Sequence, residues 1–235
     1  MRIQKHLSMK GILSRREAEK YIQAGYIKVN GKLIKNLAHQ IDPMNDIVTL
    51  HAPDTLETKQ LIAFHKPVGV VTHSPQAGEK EIKDLLPSNL KHLSPVGRLD
   101  KASEGLILLT NDGVLARYFL QSKPAHLRCY IVSTSSSLTH GQLQKCRNGI
   151  ILFGQRTKPI NITPISAHSY KWEMREGKNR QIRRMVQKIG SQVTRLQRIS
   201  FANIQLGELK SACYRVEKIA MHKASIDDYA KKGVN

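Results

Sequence analysis

Between Ser14 and Gly25 the apolar residues recur at helical spacing, with Ala18, Tyr21 and Ile22 on one face. Ser14 and Glu17 have the form of a capping box, and Gly25 stands where a helix C-cap places glycine. From Tyr26 to Val29 the pattern alternates as in a strand. Asn30-Gly31 is a type I′ hairpin signal, and Lys32 to Ile34 returns. A small helix-and-hairpin module is therefore expected over residues 1–50. Residues 51–59 (HAPDTLETK) are polar, contain Pro53 and read as a linker.

A larger segment follows over residues 60–218. Leu61 to Phe64 and Val68 to Thr72 read as strand, interrupted by Lys66-Pro67 and Gly69. Leu106 to Thr110 has the continuous apolar run of a buried strand. Asn111-Asp112-Gly113 is a turn, and a helix is expected from Val114 to Leu120. Further strands are expected over 130–132, 150–153 and 193–199. Asn179 is placed to cap a helix with Ile182, Met185, Val186 and Ile189 on one face, which Gly190 ends. Strands and helices interleave without a strict βαβ rhythm. The fold class expected is α+β, with a mixed or antiparallel sheet behind the small N-terminal α/β module. Residues 219–235 read as a polar tail with room for a short helix.

Charge narrows the partners. Thirty-eight Lys and Arg face 18 Asp and Glu, a formal +20. Folding does not require that excess, whereas a polyanion partner explains it; RNA, DNA and an anionic membrane surface all fit. The longest apolar run, Gly149 to Gly154, is far short of the ~20 residues that span a bilayer. The N-terminus has no apolar core of a secretory signal. Cys129, Cys146 and Cys213 form no CxxC pair, so neither zinc nor a disulfide framework is expected. The chain reads as cytoplasmic.

Familiar catalytic patterns are missing: no Walker A, GxGxxG, HExxH or GxSxG occurs, and the ten His show no ligand spacing. No cofactor or metal is expected. The notable carboxylate is Asp100, in Pro95-Val96-Gly97-Arg98-Leu99-Asp100, just ahead of the buried-strand candidate. On a surface this basic, a carboxylate repels the phosphate that the surface attracts, so it needs a task. On the residues alone, Asp100 can instead pair with Arg98 or cap the next turn, and Tyr130 can simply be a core aromatic. Residues 171–198 carry nine Lys and Arg against two Glu, with Arg180, Arg184 and Lys188 in an i, i+4, i+8 stripe suited to phosphates.

Residues 13–18 (LSRREA) and 26–31 (YIKVNG) resemble the S4 RNA-binding domain. The run GRLDKASEGLILLTNDG (97–113), the run EGKNRQIRRM (176–185) and Lys66-Pro67-x-Gly69 resemble the RsuA/RluB-type pseudouridine synthases, in the family's order and over essentially the whole chain. The resemblance implies that Asp100 is the catalytic aspartate, that Tyr130 stacks on the target base, and that Arg183 pairs with the aspartate. In the S4 module it implies RNA contacts from Arg15, Arg16 and Lys28; around the site, Arg98, Lys178, Asn179, Arg180, Gln181 and Arg184 are expected as RNA contacts, with Lys178, Arg180 and Arg184 assigned to the RNA backbone by the basic stretch. Cys129 departs from the charged residue common before the tyrosine.

These roles form a coherent chemistry. The isomerisation breaks N1–C1′ and makes C5–C1′, with nothing added or lost. An Asp carboxylate, ordinarily near pKa 3.9, is ionised at neutral pH; it serves as a nucleophile at C1′ or as a base toward the 2′ hydrogen. The expected function is uridine-to-pseudouridine isomerisation in structured RNA. Ribosomal RNA is favoured, the large subunit first, with small-subunit RNA or tRNA as alternatives, and the enzyme is expected to be a monomer. The rivals are a non-catalytic RNA-binding ribosome-assembly factor and an N-glycosidic hydrolase that releases uracil.

Overall fold

The structure, a computed structural model, describes residues 1–51, 58–122 and 124–218. Most of the linker expected at 51–59 and the tail expected at 219–235 lie outside the described residues. The chain packs as two units: residues 1–61 with 110–118 and 217–218, and residues 62–109 with 119–216.

The first unit opens with α1 (Ile3–Met9) and α2 (Arg15–Gln23). Ser14 caps α2: its Oγ accepts from the Glu17 N–H, and the Glu17 carboxylate accepts from the Ser14 N–H. The expected hairpin forms from β1 (Ile27–Val29) and β2 (Lys32–Leu33), with Asn30 and Gly31 both at positive φ. A third strand, β3 (Val48–Leu50), pairs on the other side of β1. Ile3, Leu7, Ala18, Ile22 and Ile27 close the core.

The second unit is built on a mixed sheet of nine strands among the described residues. In chain order they are β4 (Leu61–Lys66), β5 (Ser94–Val96), β6 (Glu104–Thr110) and β7 (Arg128–Thr134). Beyond the small hairpin of β8 (Ile151–Leu152) and β9 (Gln155–Arg156) come β10 (Asn161–Ser166), β11 (Ser169–Met174), β12 (Val193–Phe201), β13 (Ile204–Gln205) and β14 (Tyr214–Val216). The spatial order is β10-β11-β7-β12-β6-β4-β14, with β5 on β6 and β13 on β12. The β12–β6 pair is parallel, whereas β7, β10, β11 and β14 pair antiparallel. α3 (Gly113–Gln121) falls mostly within the first unit, and the helices of the second are α4 (His140–Arg147) and α5 (Gln181–Lys188). All of β4 is buried and so is nearly all of β6, whereas β11 buries alternate residues. That is the difference between strands covered on both faces and a strand covered on one.

The α+β class and the mixed sheet match the sequence reading, and two local expectations do not. Val68 to Thr72 is not a strand; only an isolated bridge joins Val71 to Glu81. The backbone there wraps the Lys66 ammonium, which donates to the Pro67 and Val70 carbonyls at 2.7 and 2.6 Å. Asn179 does not cap α5: Arg180 holds the cap position in the left-handed region, φ 50°, without a side-chain cap bond. Gly190, at φ +86°, follows the helix end as expected.

Candidate active site

Asp100 lies in the loop between β5 and β6, and hydrogen bonds fasten the backbone on either side of it. The Thr72 hydroxyl donates to the Leu99 carbonyl (2.7 Å) and accepts from the Leu99 N–H (3.0 Å), with both residues buried. The Ser103 N–H donates to the Asp100 carbonyl at 2.9 Å, and the Gly69 N–H to the Lys101 carbonyl at 2.8 Å. Arg183 Nη2 donates to the Ala102 carbonyl (2.7 Å) and reaches Ser103 Oγ (3.3 Å). The backbone is thus held while the Asp100 side chain stays about one-third exposed. A fixed but reachable carboxylate is what a preorganised reaction centre requires.

Asp100 and Tyr130 line one cavity of about 330 Å³, with Arg98, Ser103, Met174, Leu196 and the 177–182 segment around it. Tyr130, in the middle of β7, pairs with Trp172 of β11 and Arg198 of β12. It is buried yet forms part of the wall.

The cations are arranged differently from the implied pairing. Arg180 Nη1 makes the ion pair with Asp100 Oδ2, at 4.0 Å. Arg183 is turned toward main-chain carbonyls, those of Ala102 and Val193. Burial, and then the neighbouring Arg180, lower its pKa from the ordinary guanidinium value, while Asp100 pulls the other way. Arg183 therefore supports the loop and feels the carboxylate's field, and Arg180 is the direct partner.

The other expected RNA contacts sort by exposure. Arg98 is exposed on the cavity rim. Lys178 reaches Gln155 Oε1 at 3.3 Å, and Asn179 Oδ1 accepts from Arg184 at 3.4 Å. The Arg184 guanidinium also lies 4.5 Å from the centre of the Phe153 ring. Gln181, expected as an RNA contact, is buried: its Oε1 accepts from the Lys178 N–H (2.9 Å) and its Nε2 donates to Glu176 (2.5 Å). It organises the loop ahead of α5. In the first unit, Arg15 and Arg16 are exposed at the start of α2 and Lys28 is half-buried on β1.

Thr72 and Lys66 are the supporting residues that the sequence reading left without a role. Thr72 carries no motif of its own. Lys66 was visible only within Lys66-Pro67-x-Gly69. Burial holds the Lys66 pKa down to about 8, against the upward pull of Asp100 and Glu104. Between that value and the ordinary 10.5 the unfolded chain keeps a proton that the folded chain has released, so this group adds stability as pH rises through the window. The melting-temperature gap between wild type and Lys66→Met should therefore widen from pH 7.5 to pH 9.5. A gap that does not change would show that Lys66 titrates as a free lysine.

Among the described residues, no group of three or more His, Cys, Asp or Glu lies together, and no helix is long and apolar enough to cross a membrane.

The profile for RNA pseudouridylate synthases matches residues 60–188, and that for the S4 domain matches residues 1–47. The chain is 34% identical over 210 residues to the dual-specificity RNA pseudouridine synthase RluF of Escherichia coli K12, covering 88% of this chain and 71% of the relative. It is 31% identical over 212 residues to the ribosomal large subunit pseudouridine synthase B of Bacillus subtilis, covering 87% of each. A crystal structure of a pseudouridylate synthase superposes with a TM-score of 0.69 at 26% identity, over 97% of this chain and 98% of that one. With a mixed sheet, a carboxylate and a tyrosine in one cavity, and a matching S4 segment ahead of them, the chain belongs to the S4-containing RsuA/RluB-type RNA pseudouridine synthases.

Proposed function

We propose that this protein isomerises one uridine of a structured ribosomal RNA, in the large subunit first, with Asp100 as the catalytic carboxylate. The observation that carries the reading is the convergence of Asp100 and Tyr130, from separate elements, on one cavity rimmed by Arg98, Lys178 and Arg180. In this reading the phosphates meet the rim and the uracil stacks on Tyr130, a contact worth roughly 1–3 kcal/mol. The Asp100 carboxylate then acts at C1′ or on the 2′ hydrogen while N1–C1′ breaks. The detached base turns inside the cavity and C5–C1′ forms. Large-subunit RNA is favoured because one relative bears that substrate in its name. Residues 1–50 form the RNA-gripping domain and residues 60–218 the catalytic one; the enzyme works as a cytoplasmic monomer.

The test incubates the protein with RNA and ribosomal subunits from a strain lacking it, then maps carbodiimide-dependent reverse-transcription stops. One new stop in ribosomal RNA is expected. Release of free uracil would assign a hydrolase, and RNA binding without any new stop would assign an assembly factor.

The two arginines near Asp100 are separable. Arg183→Ala should lower the single-turnover rate by about 100-fold or more and also lower the melting temperature, because the 101–103 backbone loses its donor. Arg180→Ala should cost about tenfold and leave stability unchanged, as an exposed 4.0 Å pair contributes little to folding. The reverse order, with Arg180→Ala the more damaging, would make the direct ion pair the essential contact.

A further inference from the structure

A second cavity, of about 350 Å³, shares Arg98, Tyr130 and Gly177 with the first and continues past Tyr130 along β7 and β12. Its wall gathers Arg98, Arg128, Arg175 and Arg198, with Glu176 as the carboxylate among its lining residues. Glu176 is already engaged: one of its oxygens accepts from Gln181 (2.5 Å) and from the Lys158 N–H (2.9 Å). None of the four arginines has a carboxylate within 4.0 Å among the described residues.

Arg198 is the informative member. It is only 3% exposed, its Nε donates to the Leu106 carbonyl at 2.6 Å, and its buried Nη2 has no partner. The Phe201 ring lies 5.3 Å from the Arg198 guanidinium and 4.8 Å from that of Arg128. A buried guanidinium without a counter-charge is costly in a folded chain. The half-buried Arg128 and the buried Arg198 flank one ring and repel each other; burial above all lowers the Arg128 pKa, Tyr130 pulls it up, and the Arg198 charge lowers it by a smaller amount. An anion in the cavity would relieve both costs.

We infer that this arginine-lined cavity is a subsite for one RNA backbone phosphate adjoining the uridine seated on Tyr130. The inference rests on the isomerase reading, since that reading places the uridine there. Arg128 lies two residues from Tyr130 on the same face of β7, and Arg198 pairs with Tyr130 across to β12. The base platform and the anion site are therefore parts of the same two strands. Holding a neighbouring phosphate fixes the extruded nucleotide from outside its base, and so retains the sugar while the uracil is detached.

The test requires no turnover. The full-length protein, 15N-labelled at arginine, is titrated separately with inorganic phosphate, uridine, uridine 3′-monophosphate and uridine 5′-monophosphate. Phosphate should shift the Arg128 and Arg198 Nε–Hε signals saturably. One of the two nucleotides should bind about tenfold tighter than uridine, the gain of a charge-assisted contact. In Arg128→Gln and Arg175→Gln that preference should shrink to about twofold, whereas Asp100→Asn should keep it. These substitutions spare Arg198, whose bond inside the sheet makes its replacement a folding risk. The subsite is wrong if phosphate moves neither signal, or if the nucleotide preference survives in both glutamine variants. Preference for the 3′ or the 5′ nucleotide identifies which neighbouring phosphate is held. Failure of the isomerase reading appears separately, as a lack of pseudouridine; even then the inorganic phosphate titration decides whether the anion site exists.

Discussion

Asp100→Asn should abolish pseudouridine formation, by about 10⁴-fold or more in single turnover, while leaving the fold and RNA binding intact. The asparagine keeps the shape and loses the charge, so it can neither attack C1′ nor accept the 2′ hydrogen. Both routes require the carboxylate, and the variant tests their shared premise. Stability should change little, because the one ion pair of Asp100 among the described residues is long and half-exposed. The loop is held by Thr72, Gly69, Ser103 and Arg183 through backbone groups that the substitution does not touch. RNA affinity should hold or rise, since a negative charge leaves a cavity rimmed by cations. The readout is release of tritium from RNA carrying [5-³H]uridine, because C5 loses its hydrogen when it bonds to C1′. A variant within tenfold of wild type would remove Asp100 from the chemistry.

The legible parts of the molecule were those coded locally. The Ser14–Glu17 capping box and the Asn30-Gly31 turn form as read, because neighbouring residues settle them. The Leu106 to Thr110 run is a buried strand because no alternation is needed where both faces are covered. Less legible was β11, whose Tyr170, Trp172 and Met174 alternate as a half-buried strand should, but with Lys171 and Glu173 between them. The cap of α4, Thr139 with Gln142, was also present in the sequence and went unread. At the site, the motif led to Asp100, and Tyr130 proved to share its cavity. The partition between Arg180 and Arg183 was not legible. It depends on the left-handed backbone at Arg180 and on which carbonyls lie within reach of Arg183, and neither is written in residue type. The double tie from Thr72 to Leu99 joins residues far apart in the chain, so no local pattern announces it.

Gly105→Ala should unfold or severely weaken the second unit, at about 4 kcal/mol or more. Gly105 is on β6 directly opposite Arg198 of β12, in the parallel pairing of the sheet. A Cβ there would stand 2.3 Å from the Arg198 carbonyl oxygen and 2.7 Å from its nitrogen, at a φ of +103° that alanine resists. Backbone is the obstacle, so no side-chain rotation relieves the clash, and the two strands must separate. Gly154→Ala is the control: its φ is also positive, +73°, but nothing lies within 4 Å of the added carbon. That substitution should cost only the conformational strain, about 1 kcal/mol. At roughly 2–4 °C per kcal/mol for a chain of this size, Gly105→Ala should melt about 10 °C or more below wild type, and Gly154→Ala only a few degrees below. Activity should fall with the first and not the second, because the loop bearing Asp100 runs directly into β6, and the Arg198 that Gly105 abuts is a wall of the phosphate subsite. Equal melting temperatures for the two variants would mean that β6 and β12 do not pack at this distance, and that the approach of the two backbones is not what sets the position of Asp100.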